Sequence, residues 1–433
     1  MSTVFDQARQ LFALGVADFE AGRLAPAEAR FEAALALVPG RVSILVNLAA
    51  VRIELDRPAA ALPLLDEALA GQPDAIDARL HRSLALGDLG RHAEALDELN
   101  RVLALAADHP TASYHRARTL GALGRLAQAL AAFERALALA PEHALAWFGH
   151  GQTLQRLDRP TEALASFDRA LGIAPQLAQA WTQRGMILKD LGRSAEASDA
   201  FARSIAQGGD AALNGYYLAA LSGQGIPERA PRQYVEGLFD DYAASFDSHV
   251  VGTLAYRGHQ VLIGQLQALG RTRWHSALDL GCGTGLCGPL IRDICDRVDG
   301  VDLSAAMLDQ ARALGVYRRL EQADLVEHLQ RCEPGYDLVV AADVFIYVGA
   351  LAGVFSGVKR VLQPGGMFCF SIEQAPDAVD FELRASLRYA HSQRYIDRLA
   401  LQCGFEVLRL HRQAIREEQR RPIAGLFVCL RKS

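Results

Sequence analysis

The sequence predicts an all-helical repeat array in its first half and an α/β domain in its second, with a seven-stranded, mostly parallel sheet closed by an antiparallel hairpin. Three observations carry this. A pattern of small and aromatic residues recurs every 34 positions as far as about Ala211. Beyond Pro231, apolar runs of strand length alternate with helical ones, the order that builds a parallel sheet covered by helices on both faces. Between the two lies SGQGIPERAP, Ser222 to Pro231, a Gly/Pro-bearing junction.

The repeated pattern is A-x3-F/L-x2-A with Pro five residues on. It reads Ala27/Phe31/Ala34/Pro39, Ala61/Leu65/Ala68/Pro73, Ala95/Leu99/Val102, Ala129/Phe133/Ala136/Pro141, Ala163/Phe167/Ala170/Pro175 and Ala197/Phe201/Ser204. Upstream of each runs a first helix with a small-residue slot, filled by Gly15, Ala49, Gly151 and Gly185 in four of the copies. Gly-Arg or Asp-Arg marks the turn inside each hairpin: Gly22-Arg23, Asp56-Arg57, Gly90-Arg91, Gly124-Arg125, Asp158-Arg159 and Gly192-Arg193. Small residues let paired helices approach, the aromatic fills the gap, and stacking buries one continuous core. Six such units from about Ala8 to Ala211 resemble tetratricopeptide repeats, whose period is the same. The segment Ala211 to Leu221 reads as a closing helix. The expected division is thus 1–221 array, 222–231 linker and 232–433 second domain. The resemblance implies partner binding on the face of the first helices. Counting along them places Tyr114, Arg118, Phe148, Gln152, Arg156 and Lys189 there, together with His81, His115, Gln155 and Gln183, a set suited to an extended or acidic peptide.

Composition narrows the classes. About half the residues are apolar and 22% are charged, which excludes a disordered or collagen-like chain. A formal charge of −5 gives no global basic field, so no nucleic-acid partner is expected. All seven cysteines lie from Cys282 onward and none forms a C-x-x-C pair, which fits neither a disulfide framework nor a standard zinc site. No metal is expected. MSTVFDQARQ lacks a secretory pattern, and no apolar run reaches the ~18 residues of a span. The expectation is a cytoplasmic protein with no membrane segment.

Chemistry concentrates in ALDLGCGTGLCG, Ala277 to Gly288. An apolar strand enters glycines and a helix follows at once. Glycine lets the backbone turn sharply against a ligand, and the helix start offers free N–H groups to an anion. GTGLCG, Gly283 to Gly288, satisfies G-x-G-x-x-G, and Asp302 follows Gly283 by 19 positions, as in a dinucleotide fingerprint. The wider set of motifs is more specific. LDLGCGTG, GVDLS (Gly300 to Ser304), ADL (Ala323 to Leu325), YDLVVAADVFIYV (Tyr336 to Val348) and LQPGGMFCFSIE (Leu362 to Glu373) resemble the class I S-adenosylmethionine-dependent methyltransferases. The resemblance runs from roughly Tyr234 to the C-terminus. It extends to the predicted methyltransferases that carry tetratricopeptide repeats in front.

That resemblance implies a Rossmann-like domain and a site. Gly281, Gly283 and Gly285 would wrap the methionine part of S-adenosylmethionine, with Asp279 ordering the loop and meeting the amino group. Asp302 would accept both ribose hydroxyls. Leu303 and Met307 would pack on the adenine, Asp324 would take its amino group, and Leu325 would flank the ring. Asp343 would sit near the sulfonium. A helix lid before the first strand puts Phe239, Tyr242 and Phe246 on one face, and Tyr242 is expected against the cofactor. A base is needed only for an acceptor protonated at neutral pH, and His391, Tyr347, Glu373 and His249 are the candidates. Three functions stay open. One is methyl transfer to a protein or peptide recruited by the array. Another is methyl transfer to a small molecule, the array serving homo-oligomerisation or regulation. The third is a non-catalytic adaptor.

Overall fold

The computed structural model describes residues 3–243, 246, 256–271, 273–418 and 421–433. The chain divides into two compact units, Met1–Gln207 and Gly208–Ser433. The first is six helical hairpins. They are α1 (Val4–Glu20) with α2 (Leu24–Leu37), α3 (Val42–Glu54) with α4 (Pro58–Gly71), and α5 (Ile76–Asp88) with α6 (His92–Leu105). Then follow α7 (Pro110–Ala122) with α8 (Leu126–Leu139), α9 (Ala144–Arg156) with α10 (Pro160–Ile173), and α11 (Ala178–Asp190) with α12 (Ser194–Ala206).

Each sequence signal has its physical counterpart. Gly22, Gly90, Gly124 and Gly192 end the first helices with φ between 71° and 74°, and Asp56 and Asp158 hold the same left-handed position at 57° and 56°. The following arginine clips onto a glutamate three residues on, as in Arg91–Glu94, Arg159–Glu162 and Arg193–Glu196. The small-residue slot is sterically enforced. A Cβ at Gly15, Gly151 or Gly185 would lie 2.6–2.7 Å from a ring carbon of Phe31, Phe167 or Phe201.

The second unit begins with α13 (Ala211–Ser222), α14 (Arg232–Tyr242) and α15 (Gly258–Gln267). Expected as the cap of the array, α13 instead groups with the second unit. Its Tyr216 is fully buried and donates a hydrogen bond to the carbonyl of Leu387 at 2.6 Å. The junction is likewise no free linker. The Glu228 carbonyl accepts from Gly349 and Ala350, Ala230 donates to Tyr347, and the Tyr389 hydroxyl donates to the Pro227 carbonyl. Sequence pattern could not show this, because the ties run through backbone groups.

Then come β1 (Trp274–Leu280), α16 (Gly288–Ile294), β2 (Cys295–Asp302), α17 (Ala305–Ala313), β3 (Arg319–Gln322), α18 (Leu325–Arg331) and β4 (Tyr336–Ala341). After them stand α19 (Ala352–Val361), β5 (Leu362–Glu373), the short hairpin β6 (Phe381–Leu383) and β7 (Tyr389–His391), α20 (Gln393–Gln402), β8 (Phe405–Glu418) and β9 (Arg421–Lys432). The main sheet runs β3-β2-β1-β4-β5-β9-β8. β9 is antiparallel to both neighbours, and the other pairings are parallel. Seven strands and the closing hairpin are as the sequence predicts.

Period-two alternation splits the core between the two faces. Leu278, Leu280, Val339, Ala341, Phe368 and Phe370 face one layer, with residues of α19 and α20. Ala277, Leu338, Val340, Met367 and Cys369 face the other, with residues of α15 and α16. Two features exceed the sequence reading. β6 and β7 are three residues each, too short to leave a pattern. β8 and β9 run well beyond the expected Val407–His411 and Gly425–Leu430, since their ladder continues through a charged stretch.

Candidate functional site

Strand order reverses between β1 and β4, and in open α/β sheets the crevice at the carboxyl ends there binds ligands. A cavity of about 940 Å³ occupies it. From β1 the chain leaves through Gly281, Cys282 and Gly283. Gly281 and Gly283 have φ of 65° and 53°, which only glycine adopts without strain. A Cβ at Gly281 would lie 2.5 Å from Val344, whereas one at Gly283 would meet nothing within 4 Å. The Gly283 backbone is thus bare toward the cavity, a cradle for a ligand.

Asp279, Asp302 and Asp324 are among the carboxylates that face this space. Asp302, ending β2, accepts from the Gly283 N–H at 2.8 Å and from the Ser304 N–H at 2.9 Å. One donor on each oxygen leaves further lone pairs for a vicinal diol. Burial pushes its carboxyl above the ordinary range, and these backbone donors pull it back. Asp279 is 1% exposed and accepts the Tyr317 hydroxyl at 2.7 Å. Burial raises it to about 7, against the Tyr317 bond that lowers it. Asp324 caps α18 through the N–H groups of Val326 and Glu327, and its second oxygen lies 3.3 Å from Arg229. It is at once a helix cap and a wall of the cavity. Leu303, Met307 and Leu325 line the same wall, Met307 fully buried.

The lid is partly described. Phe239 and Phe246 line the cavity, their rings 6.0 Å apart. α14 is fixed over the site by Asp240, which accepts the Ser304 hydroxyl at 2.5 Å. The Tyr242 side chain and His249 lie outside the described residues. Cys282 and Cys287 also line it, and burial pushes both thiols up, so they behave as small apolar groups.

Beyond β4 the candidates for acid–base work separate. Tyr347 lines the cavity, its ring edge-on to Phe239 at 5.4 Å. Burial raises its hydroxyl, while the hydrogen-bonded Arg388 lowers it. Asp343 also lines the cavity, with φ 58°. Its N–H donates to the Ser371 hydroxyl at 2.8 Å, and both carboxylate oxygens are held by Arg416 at 3.0 and 2.8 Å. Arg416 joins it to Glu373, which Arg384 holds on the far side at 2.9 Å. Glu373 is 2% exposed and does not line the cavity. Burial raises its carboxyl and Arg416 opposes this. His391 is completely buried away from the cavity, its Nε2 between the carbonyls of Val348 and Gly349 at 2.9 and 3.0 Å. Burial lowers its pKa to about 4. A neutral ring donating to backbone carbonyls is a brace for the Tyr347 turn, and the structure does not bring it to the reaction space.

Sequence reasoning missed Tyr256, His259, Arg388 and Arg416, all of which line the cavity. His259 is 6% exposed, with its ring 5.4 Å from that of Tyr256. Arg416 sits in the charged run of β8, where nothing but strand register shows that it turns inward.

Residues 277–366 match the family model of a methyltransferase domain. Residues 18–87, 114–178 and 178–206 match models of the tetratricopeptide repeat. Over 182 residues the chain is 30% identical to the malonyl-[acyl-carrier protein] O-methyltransferase of Enterobacter lignolyticus, covering 41% of this chain and 69% of that protein. The chain belongs to the methyltransferase family, with a tetratricopeptide array in front. Its methyltransferase domain is also 30% identical over 164 residues to the enzyme of the same name from Pseudescherichia vulneris, spanning 36% of this chain and 63% of that one. Among solved structures, the tetratricopeptide protein TTC0263 of Thermus thermophilus is 23% identical, covering 42% of this chain and 98% of that one with a TM-score of 0.37.

The expected groove residues of the array are largely engaged within it. Tyr114 is buried against Phe133 and His143, and Arg118 lies over its ring at 5.7 Å. Phe148 packs on Phe167, Arg156 donates to the Gly121 carbonyl at 2.8 Å, and Lys189 pairs with Asp190 at 2.7 Å. Gln152 is exposed.

Proposed function

We propose that the second unit transfers a methyl group from S-adenosylmethionine to an acceptor recruited by the array. The observation that supports this most is the convergence of Asp279, Asp302 and Asp324 on one cavity at the reversal of strand order, around the bare backbone of Gly283. The residues suit the donor: a diol acceptor in Asp302, a buried carboxylate for an ammonium in Asp279, and apolar flanks in Leu303, Met307 and Leu325. When bound, S-adenosylmethionine supplies a methyl group already activated on sulfonium sulfur. The chain's task is then alignment and exclusion of water. α14 with Phe239 and Phe246 covers the site, the Arg416 clamp holds Asp343 against the cavity, Tyr347 offers a hydroxyl that keeps its proton, and His259 is placed to take a proton from an acceptor that carries one. Seven cysteines with no disulfide favour a cytoplasmic setting, and no described helix is long and apolar enough to cross a membrane. A small-molecule acceptor is the second reading, favoured by a cavity near the upper end of the ~300–1,000 Å³ typical of ligand sites.

Calorimetric titration with S-adenosylmethionine, its demethylated product and NAD tests the donor. Micromolar binding of the first two, weakened at least about a hundredfold by Asp302→Ala, is the expected result. Absence of both from the wild type removes the enzymatic reading, and tight NAD binding would point to a dehydrogenase.

A further inference from the structure

The hairpin of β6 and β7 brings to the cavity a side chain that the donor does not account for. Among the described residues, four that are not glycine have positive φ: Asp56, Asp158, Asp343 and Leu387. The two in the array stand where other repeats place glycine at the same turn. The other two belong to the cavity wall and its support. Asp343 faces the cavity, and Leu387, at φ 62°, directly precedes Arg388, which faces it too. A bulky side chain keeps a left-handed backbone only when its surroundings impose it, and such positions gather at ligand sites.

Those surroundings are explicit. Leu387 is 5% exposed, its N–H donates to the Arg384 carbonyl at 2.8 Å, and the Arg384 N–H donates to the Arg388 carbonyl at 2.9 Å. Tyr216 of α13 donates to the Leu387 carbonyl at 2.6 Å, and Tyr389, on the other side, donates to the Pro227 carbonyl at 2.8 Å. Arg388 is thus gripped between two anchored neighbours and held half-buried at the cavity. A guanidinium taken partly out of water costs stability unless something there uses its charge. The described acids nearby are matched by other arginines: Arg384 holds Glu373 and Glu382, and Arg416 holds Asp343 and Glu373. Arg388 donates to the hydroxyl of Tyr347, and a guanidinium carries more N–H donors than one or two neighbours take up.

Its place also separates it from the donor carboxylates. Asp279, Asp302 and Asp324 belong to β1, β2 and the turn after β3, whereas Arg388 enters from the hairpin bridged to the end of β5. Beside Tyr347 the wall turns apolar, with Phe239, Phe246, Ile346 and Val348.

We propose that Arg388 recognises the acceptor by an anionic group that adjoins an apolar portion. This rests on the methyl-transfer reading and deepens it, giving the chemistry of the part of the acceptor that enters the cavity. Arg388 offers the anion a planar fork, Tyr347 adds a hydroxyl donor, and the rings of Phe239 and Phe246 take the apolar portion. The anchored turn holds the fork in place before the acceptor arrives, so little ordering is lost on binding.

The probes are octanoate, octyl phosphate and neutral octanamide, titrated by calorimetry into the full-length chain saturated with the demethylated donor product. At least one of the two anions should bind about tenfold or more tighter than the amide, and the tighter of them tells a planar head from a tetrahedral one. That preference should vanish in Arg388→Gln and return in part in Arg388→Lys, which restores the charge without the fork. Equal binding of anions and amide by the wild type, or a preference that survives in Arg388→Gln, overturns the proposal. So does a loss of more than about tenfold in affinity for the demethylated product in Arg388→Gln, which would give Arg388 to the donor's own carboxylate. If the wild type binds no demethylated product, the donor reading falls, and the anion preference measured on the bare chain still decides the role of Arg388.

Discussion

Asp279 shows how one residue can tie ligand binding to stability. Its carboxyl titrates at about 7 in the folded chain, against roughly 3.9 when unfolded. Between those values the folded state holds a proton that the unfolded state has lost, so stability declines as pH rises from about 4 to 7. Asp279→Asn should therefore raise the melting temperature at pH 8 by roughly 2–8 °C while abolishing donor binding. A cationic ligand group selects the ionised form. Donor affinity in the wild type should accordingly be about tenfold weaker at pH 6 than at pH 8; a flat wild-type profile would remove Asp279 from the amino-group role. His391 gives the opposite case. His391→Phe strands two buried carbonyls, so it should cost about 1–3 kcal/mol in denaturant unfolding with donor affinity within twofold. Asp279 and Asp302 were legible as cavity-lining acids because they stand at strand ends beside a glycine loop. His391 misled because a histidine next to a strand looks the same in sequence whether it faces a cavity or a backbone.

At the scale of elements, the repeats were legible because the turn signal recurs in all six copies and the small-residue slot, where glycine fills it, is a steric necessity. The Gly151 and Phe167 pair tests this. Phe167→Ala should cost about 3–5 kcal/mol and Gly151→Ala about 1–3 kcal/mol. The double variant should be less damaging than their sum, since the added methyl enters space the ring has left; strict additivity in chemical unfolding would contradict the interlock. Elements without repetition were harder. β6 and β7 are fixed by Tyr389, by His391 and by the Tyr216 hydroxyl bonded at the turn between them, all distant in sequence. The same holds for the inward turn of Arg416, which depends on a β8–β9 register that slips between Ala414 and Glu417.

For the whole molecule, the position of α13 decides where the chain can be divided. A fragment starting at Gly208 keeps Tyr216 on Leu387, and should fold and bind the donor as the intact chain does. A fragment starting at Ser222 uncovers Tyr234 and Tyr389, and should melt at least about 5 °C lower by calorimetry; equal melting would return α13 to the array. Loss of acceptor methylation in the longer fragment, with donor binding retained, is expected if the array recruits.

The topology also carries a consequence for synthesis. β9, the strand latest in the sequence, is an interior strand, wedged between β5 and β8. While a nascent chain still holds β9 inside the ribosome, β5 and β8 present bare edges, and an unpaired strand edge is a template for joining other chains. The Rossmann half of this protein thus cannot mature progressively from its N-terminus. The sheet closes only once β9 has been made, and until then chaperones must hold the open edge.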